Sequence, residues 1–164
     1  MLFLLLELGK DRYALDVRQI AEVLPFVEVK QIPRAPQAIA GLFTYRGALV
    51  PVIDLSQLTL GRPAARRLST RIVLVHYPDQ SGQTHLLGLI AEKATQAARH
   101  DPSDFVASGV TDPGASYLGP VATDPRGLLQ WIDLKALLPP SLRDMLFQEP
   151  ANGSPLISLA GASP

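Results

Sequence analysis

The sequence predicts a mainly β, all-β-class protein built from two similar small barrels, on three observations. Fifteen prolines and twelve glycines are spread along 164 residues, which suits many short strands and turns rather than long helices. The apolar runs are short, and most alternate or are rich in branched residues. An internal echo is present: RGALVPVIDLSQL at 46–58 resembles RGLLQWIDLKAL at 126–137 after one deletion, and Tyr13-Ala14-Leu15 weakly resembles Leu87-Gly88-Leu89. Repeated supersecondary units imply repeated architecture, and closed barrels remove the sheet edges that short strands would otherwise expose.

The elements follow in order. Phe3 to Glu7 is a first strand, Gly9-Lys10-Asp11 a turn, and Arg12 to Val17 the returning strand of a hairpin. Val17 to Leu24 is ambiguous: Ile20, Val23 and Leu24 fit a helical face that Pro25 would stop. Phe26 to Ile32 alternates and reads as a strand. Pro33 and Pro36 bracket an extended entry, and Gln37 to Phe43 reads as a short helix with Ile39 and Leu42 inward and Gly41 allowing close packing. Arg46-Gly47 is a tight corner. Ala48 to Ile53 is a buried strand, and Asp54 caps a helical turn running through Leu58.

Residues 59–70 form a loop rich in Arg, Ala and Pro. Its Arg62, Arg66, Arg67 and Arg71 read as a solvated basic patch, with a phosphate site as the sharper alternative. Arg71 to Tyr77 and Thr84 to Ala91 are strands flanking a hairpin turn at 79–83. Residues 99–116 are irregular. Tyr117 to Ala122 and Gly127 to Ile132 are the last strands, Asp133 to Leu138 a final short helix closed by Pro139-Pro140, and Ser141 to Phe147 a helical extension. Residues 1–148 read as one domain of two lobes, and 149–164 as a disordered tail.

Composition excludes several functions. Fifteen basic and fifteen acidic residues cancel, which argues against nucleic-acid binding by bulk charge. Zero cysteines excludes thiol catalysis and disulfides and fits the cytoplasm. The apolar start Met1 to Leu6 is too short for a signal or membrane segment. His76, His85 and His100 are scattered and lack metal spacing, although His76 and His85 lie on neighbouring expected strands. No phosphate loop, zinc helix or nucleophile elbow is present. Asp54 and Asp133 hold equivalent places in the echo, so capping explains them more simply than paired-carboxylate catalysis. Trp131 sits in an apolar run and reads as core.

The stretch 33–55 carries a long ordered pattern: Pro33, Pro36, Gly41, Leu42, Arg46, Gly47, Val50, Pro51, Val52, Ile53, Asp54 and Leu55. In this it resembles the CheW-like adaptor family of bacterial chemosensory systems, and the resemblance extends over roughly residues 2 to 138. It implies two side-by-side five-stranded SH3-like β-barrels with short helices. It implies a non-enzymatic adaptor without cofactor or metal. Such an adaptor would couple the cytoplasmic hairpin tip of a methyl-accepting receptor to the regulatory domain of a CheA-type histidine kinase. It would work in the cytoplasm at membrane-anchored receptor clusters, without nucleic acid and without inserting into the membrane. By the resemblance, the receptor site falls at Arg46, with Gly41, Gly47, Ile20 and Glu22 near it. The chain departs from the pattern at Thr44-Tyr45 before Arg46, at Ala91-Glu92-Lys93-Ala94 and in the loop at 99–116. These departures suggest an alternative within the family, an adaptor of a non-flagellar pathway such as surface sensing, second-messenger or pilus control. A small β-barrel ligand-binding domain or enzyme is the reading from a different class. A polar pocket converging on His76 or His85 would favour that reading. A shallow apolar groove with Arg46 at its edge would favour the adaptor.

Overall fold

Two strands of this chain are apolar on both faces, and the architecture follows from what each face meets. The computed structural model describes residues 1–110 and 115–147. In order, its elements are β1 (Leu2–Leu8), β2 (Asp11–Asp16), β3 (Ile20–Pro25), β4 (Ile39–Tyr45), β5 (Ala48–Asp54), α1 (Leu55–Leu60), β6 (Arg71–Pro78), β7 (Thr84–Arg99), β8 (Leu118–Asp124), β9 (Gly127–Ile132) and α2 (Pro140–Leu146). Single 3₁₀ turns lie at Val17–Gln19, Pro102–Asp104 and Leu134–Ala136.

The strands fall into two groups of five that share β7. In one, β1 pairs antiparallel with β2 and with the second half of β7, β2 pairs parallel with β9, and β9 pairs antiparallel with β8. In the other, β6 pairs antiparallel with β3 and with the first half of β7, β7 pairs parallel with β5, and β5 pairs antiparallel with β4. A single bridge brings each path back on itself, Val106 to Val121 in the first and Lys30 to Leu42 in the second. The two lobes therefore repeat one pairing scheme, in keeping with two small barrels. Both sequence echoes hold places in it. Ala14 lies opposite Trp131 as Gly88 lies opposite Val52. The amide of Asp54 donates to the Ala38 carbonyl at 2.9 Å, and that of Asp133 to Tyr117 at 2.7 Å.

Three cores result. Phe3, Ala14, Phe105, Ala122 and Leu129 fill the β1 lobe, with Trp131 edge-on to Phe3 at 4.9 Å and to Phe105 at 5.1 Å. Val50, Val52, Ile72, Leu74 and Ile90 fill the β6 lobe. Between the lobes, Leu4, Leu6 and Leu8 of β1 meet Val73, Val75 and Tyr77 of β6 and Leu87 and Leu89 of β7. Alternate residues of β1 and β6 thus serve a lobe interior and the shared layer. That is why both strands read as unbroken apolar runs. Packing of α2 over the shared layer adds Leu142, with Phe147 stacked on Tyr77 at 5.5 Å.

Four expectations need correction. Residues 37–43 are not a helix: Ile39 to Tyr45 form β4, because the two-residue turn at Arg46-Gly47 folds them onto β5. Phe26 to Ile32 is extended, yet only Lys30 finds a ladder partner. The ambiguous stretch after Val17 is one 3₁₀ turn and then β3. The strand from Thr84 runs on to Arg99, since its second half leaves the β6 lobe and pairs with β1. It crosses at an irregularity where Lys93 takes a φ of 53° and pairs with Glu7 at 2.9 Å. The expected tail from 149 onward lies outside the described residues.

The two equivalent aspartates carry unequal loads. Asp133 caps a 3₁₀ turn through the Lys135 amide at 3.2 Å. Asp54 is buried and accepts from the Gln57 amide at 3.2 Å and the buried Ala64 amide at 3.0 Å, pinning the basic loop. Replacing Asp54 with Ala orphans both amides, so urea denaturation should show a loss of about 2–3 kcal/mol, against about 1 kcal/mol for Asp133→Ala.

A second pinning contact depends on pH. Arg12 of β2 holds Asp124 at the end of β8 through two hydrogen bonds, at 2.8 and 2.7 Å. This brings the Asp124 carboxyl down to about 2. A depressed carboxyl contributes stability above its unfolded value near 4 and loses it as pH falls through the folded one. The melting temperature should fall steeply between pH 4 and pH 2. Asp124→Asn should remove part of that slope and cost about 1–2 kcal/mol at pH 7, a figure held down by partial solvent screening.

Candidate interaction site at the β4–β5 turn

The β4–β5 hairpin closes with Tyr45 opposite Ala48 and only Arg46 and Gly47 between them. Both turn residues have positive φ, 50° and 82°. This is the mirror-image turn that matches the strand twist, and its first position is best filled by Asn, Asp or Gly. Arginine there costs on the order of 1 kcal/mol. Its side chain is 78% exposed.

The surroundings of Arg46 are polar. Its guanidinium lies 5.1 Å from the centre of the Tyr45 ring, within range of a cation–π contact. Its Nη2 is 4.0 Å from Oε2 of Glu22 on β3. The Tyr45 hydroxyl donates to that same oxygen, and this bond raises the phenol's pKa above its ordinary value. Tyr45 is half-buried, packing against the β6-lobe core. Close by in the chain, Leu49 stands 72% exposed opposite Thr44. Leu128, at the matching place on β9, is 66% exposed opposite Thr123.

Of the residues expected at the site, Arg46, Gly47 and Glu22 come together. Ile20 is partly buried and packs against the shared core. A register shift at Ala21 turns it toward Val75 and the shared core, while Glu22 stays at the rim of the lobe. Gly41 lies four residues before Tyr45, about 13 Å along the strand. It is buried against the Lys30 backbone. Sequence reasoning noted Tyr45 only as a departure from a pattern. Its contact joins residues 23 apart on strands that share no ladder, so no local signal announces it.

Among the described residues no cluster of three or more His, Asp or Glu side chains is placed to hold a metal. His76 is exposed opposite Leu86, whereas His85 lies opposite Tyr77, so the two imidazoles sit on opposite faces of the sheet. His85 bonds Asp79 at 2.7 Å and stacks on Phe147 at 4.5 Å, which ties the β6–β7 turn to the residue that follows α2. In the basic loop, Arg66 covers Phe26 at 5.0 Å.

Comparison with known proteins adds the following. The family model for the CheW-like domain matches residues 2–140. The chain is 26% identical over 101 residues to a chemotaxis protein CheW of Klebsiella aerogenes, covering 58% of this chain and 61% of that protein. It is 27% identical over 99 residues to a chemotaxis protein CheW of Helicobacter pylori, covering 60% and 56%. Its matches thus span about three-fifths of the length of these relatives. Among solved structures it is similar to the scaffolding protein TtCheW of Thermoanaerobacter tengcongensis. The TM-score is 0.72 at 23% identity, over 84% of this chain and 87% of that one. At that identity the likeness is one of fold.

Proposed function

The chain belongs to the CheW-like domain family, and from that premise we propose that it is a non-enzymatic adaptor coupling a methyl-accepting chemoreceptor to a CheA-type histidine kinase. The observation that carries the reading is Arg46. It is an exposed arginine kept in left-handed backbone at a hairpin tip, flanked by an aromatic ring and a carboxylate. A planar multi-donor head on a rigid turn is suited to gripping carbonyls and carboxylates on the receptor's helical hairpin. Turn and strand surfaces elsewhere would receive the kinase's regulatory domain. Two lobes joined through one shared strand would offer each partner a folded surface, so that little ordering cost is added on binding. The protein would act at the cytoplasmic side of receptor clusters. Among the described residues no helix is long and apolar enough to cross a membrane.

The test is recovery of partners from a native extract using the intact chain as bait. Co-purification of a methyl-accepting receptor together with a histidine kinase is expected. A bait that retains neither sinks the adaptor reading and leaves only the fold.

A further inference from the structure

The Glu22–Arg46 pair is unusually open for this molecule. Arg18 is as exposed as Arg46, 77% against 78%, yet closes on Asp16 at 2.9 Å with further hydrogen bonds through its Nε. Arg12 closes on Asp124 at 2.7 Å. Arg46 stops at 4.0 Å from Glu22, beyond hydrogen-bond reach. The difference is Tyr45, whose hydroxyl donates to the carboxylate oxygen nearest Arg46. The Tyr45 ring also lies within 5.1 Å of the guanidinium.

We propose that Tyr45 is a positioning residue for the receptor contact: its phenol restrains Glu22 so that the carboxylate orients Arg46 without capping it, and its ring fixes the guanidinium plane. This deepens the adaptor reading and rests on it. The chemistry is a competition for donors. A carboxylate free to close on arginine takes up two of its N–H groups in a fork, the same groups a partner carbonyl or carboxylate would need. A carboxylate already accepting from a phenol, at 4.0 Å, still adds attraction and direction but leaves the donors free. An exposed arginine also loses considerable rotamer freedom when a partner fixes it. A ring beneath the guanidinium removes part of that cost in advance. Tyr45 therefore acts on Arg46 by two routes, and only the hydroxyl route passes through Glu22.

Those routes separate in a double-mutant cycle. The probe is the purified soluble cytoplasmic hairpin fragment of a methyl-accepting receptor from the same genome, titrated calorimetrically. Tyr45→Phe, which keeps the ring, should weaken binding about fivefold to tenfold. In a Glu22→Gln background, where no anion competes for Arg46, the same change should cost less than about twofold. Melting temperatures of Tyr45→Phe and the parent should agree within about 2 °C, because the hydroxyl faces the rim. An equal loss in both backgrounds, or none in either, overturns the proposal, as does a Tyr45→Phe variant that fails to fold. Arg46→Ala run alongside separates the two levels. If it leaves hairpin binding unchanged, the adaptor reading itself has failed at this site. If it abolishes binding while Tyr45→Phe has no effect, only the positioning role has failed.

Discussion

Arg46→Ala is expected to lower affinity for the receptor hairpin at least about thirtyfold, the effect of removing a central arginine anchor, while leaving the protein folded. The side chain is exposed and makes no hydrogen bond to the lobe that carries it. Alanine meets the same backbone strain at a φ of 50°, so stability should move by less than about 1 kcal/mol. A second substitution makes the separation sharper. Arg46→Asn places the preferred residue before Gly47 in this turn and should stabilise the fold by about 0.5–1 kcal/mol. Yet it should bind almost as poorly as Arg46→Ala. Stability rising as binding falls is the signature of a residue retained for contact rather than for folding. Isothermal titration and thermal melts on the two variants read both quantities.

Gly41→Ala should have the opposite profile, with a loss of at least about 3 kcal/mol and a melting temperature lower by roughly 10 °C. A methyl group at Gly41 would fall well inside van der Waals contact of the Lys30 carbonyl oxygen and 2.7 Å from its carbon. Both atoms belong to backbone and cannot rotate away. The φ of 153° is also one that side-chain-bearing residues avoid. The contact at risk is the pair of bonds between Lys30 and Leu42, at 2.8 and 2.9 Å, that returns the β6 lobe on itself. Lost receptor binding in this variant would follow the unfolded fraction and vanish as a separate effect once corrected for it. Binding lost at full folding would instead return Gly41 to the receptor surface.

The two glycines and the arginine show how far the chain could be read unaided. The 46–58 and 126–137 echo was legible because the repeat reuses one device, an arginine-glycine corner, a strand and a capping aspartate. The strand and the capping aspartate recur at equivalent places in both lobes, while the corner shifts by one residue: the second hairpin turns at Pro125-Arg126, and Gly127 already pairs with Asp124. β4 was misread as a helix because Ile39 and Leu42 stand three apart. Its strand character comes from pairing with β5, a tertiary effect with no local period. Phe26 to Ile32 misled in the reverse sense: alternation is present, but Phe26 and Val29 pack against a lobe core while the backbone finds a single bridge. The length of β7 was hidden because its halves serve different lobes and change face at Lys93. At the site, the arginine-glycine corner was visible in the chain. The Tyr45–Glu22 contact was not, since it forms only where the ring of strands comes back on itself. The shift at Ala21, which sets Ile20 on the Val75 side toward the shared core and Glu22 opposite Leu74, has no signal in the local sequence.

The most direct measurement of the adaptor role is kinase control in a reconstituted system. Receptor-containing membranes and the cognate histidine kinase are combined with and without this protein, and autophosphorylation is followed as the receptor's stimulus is added. The account predicts that the kinase responds to stimulus only when the protein is present, and that Arg46→Ala abolishes the response while the kinase itself remains active. A kinase that responds equally well without the protein, or with Arg46→Ala in its place, would contradict it.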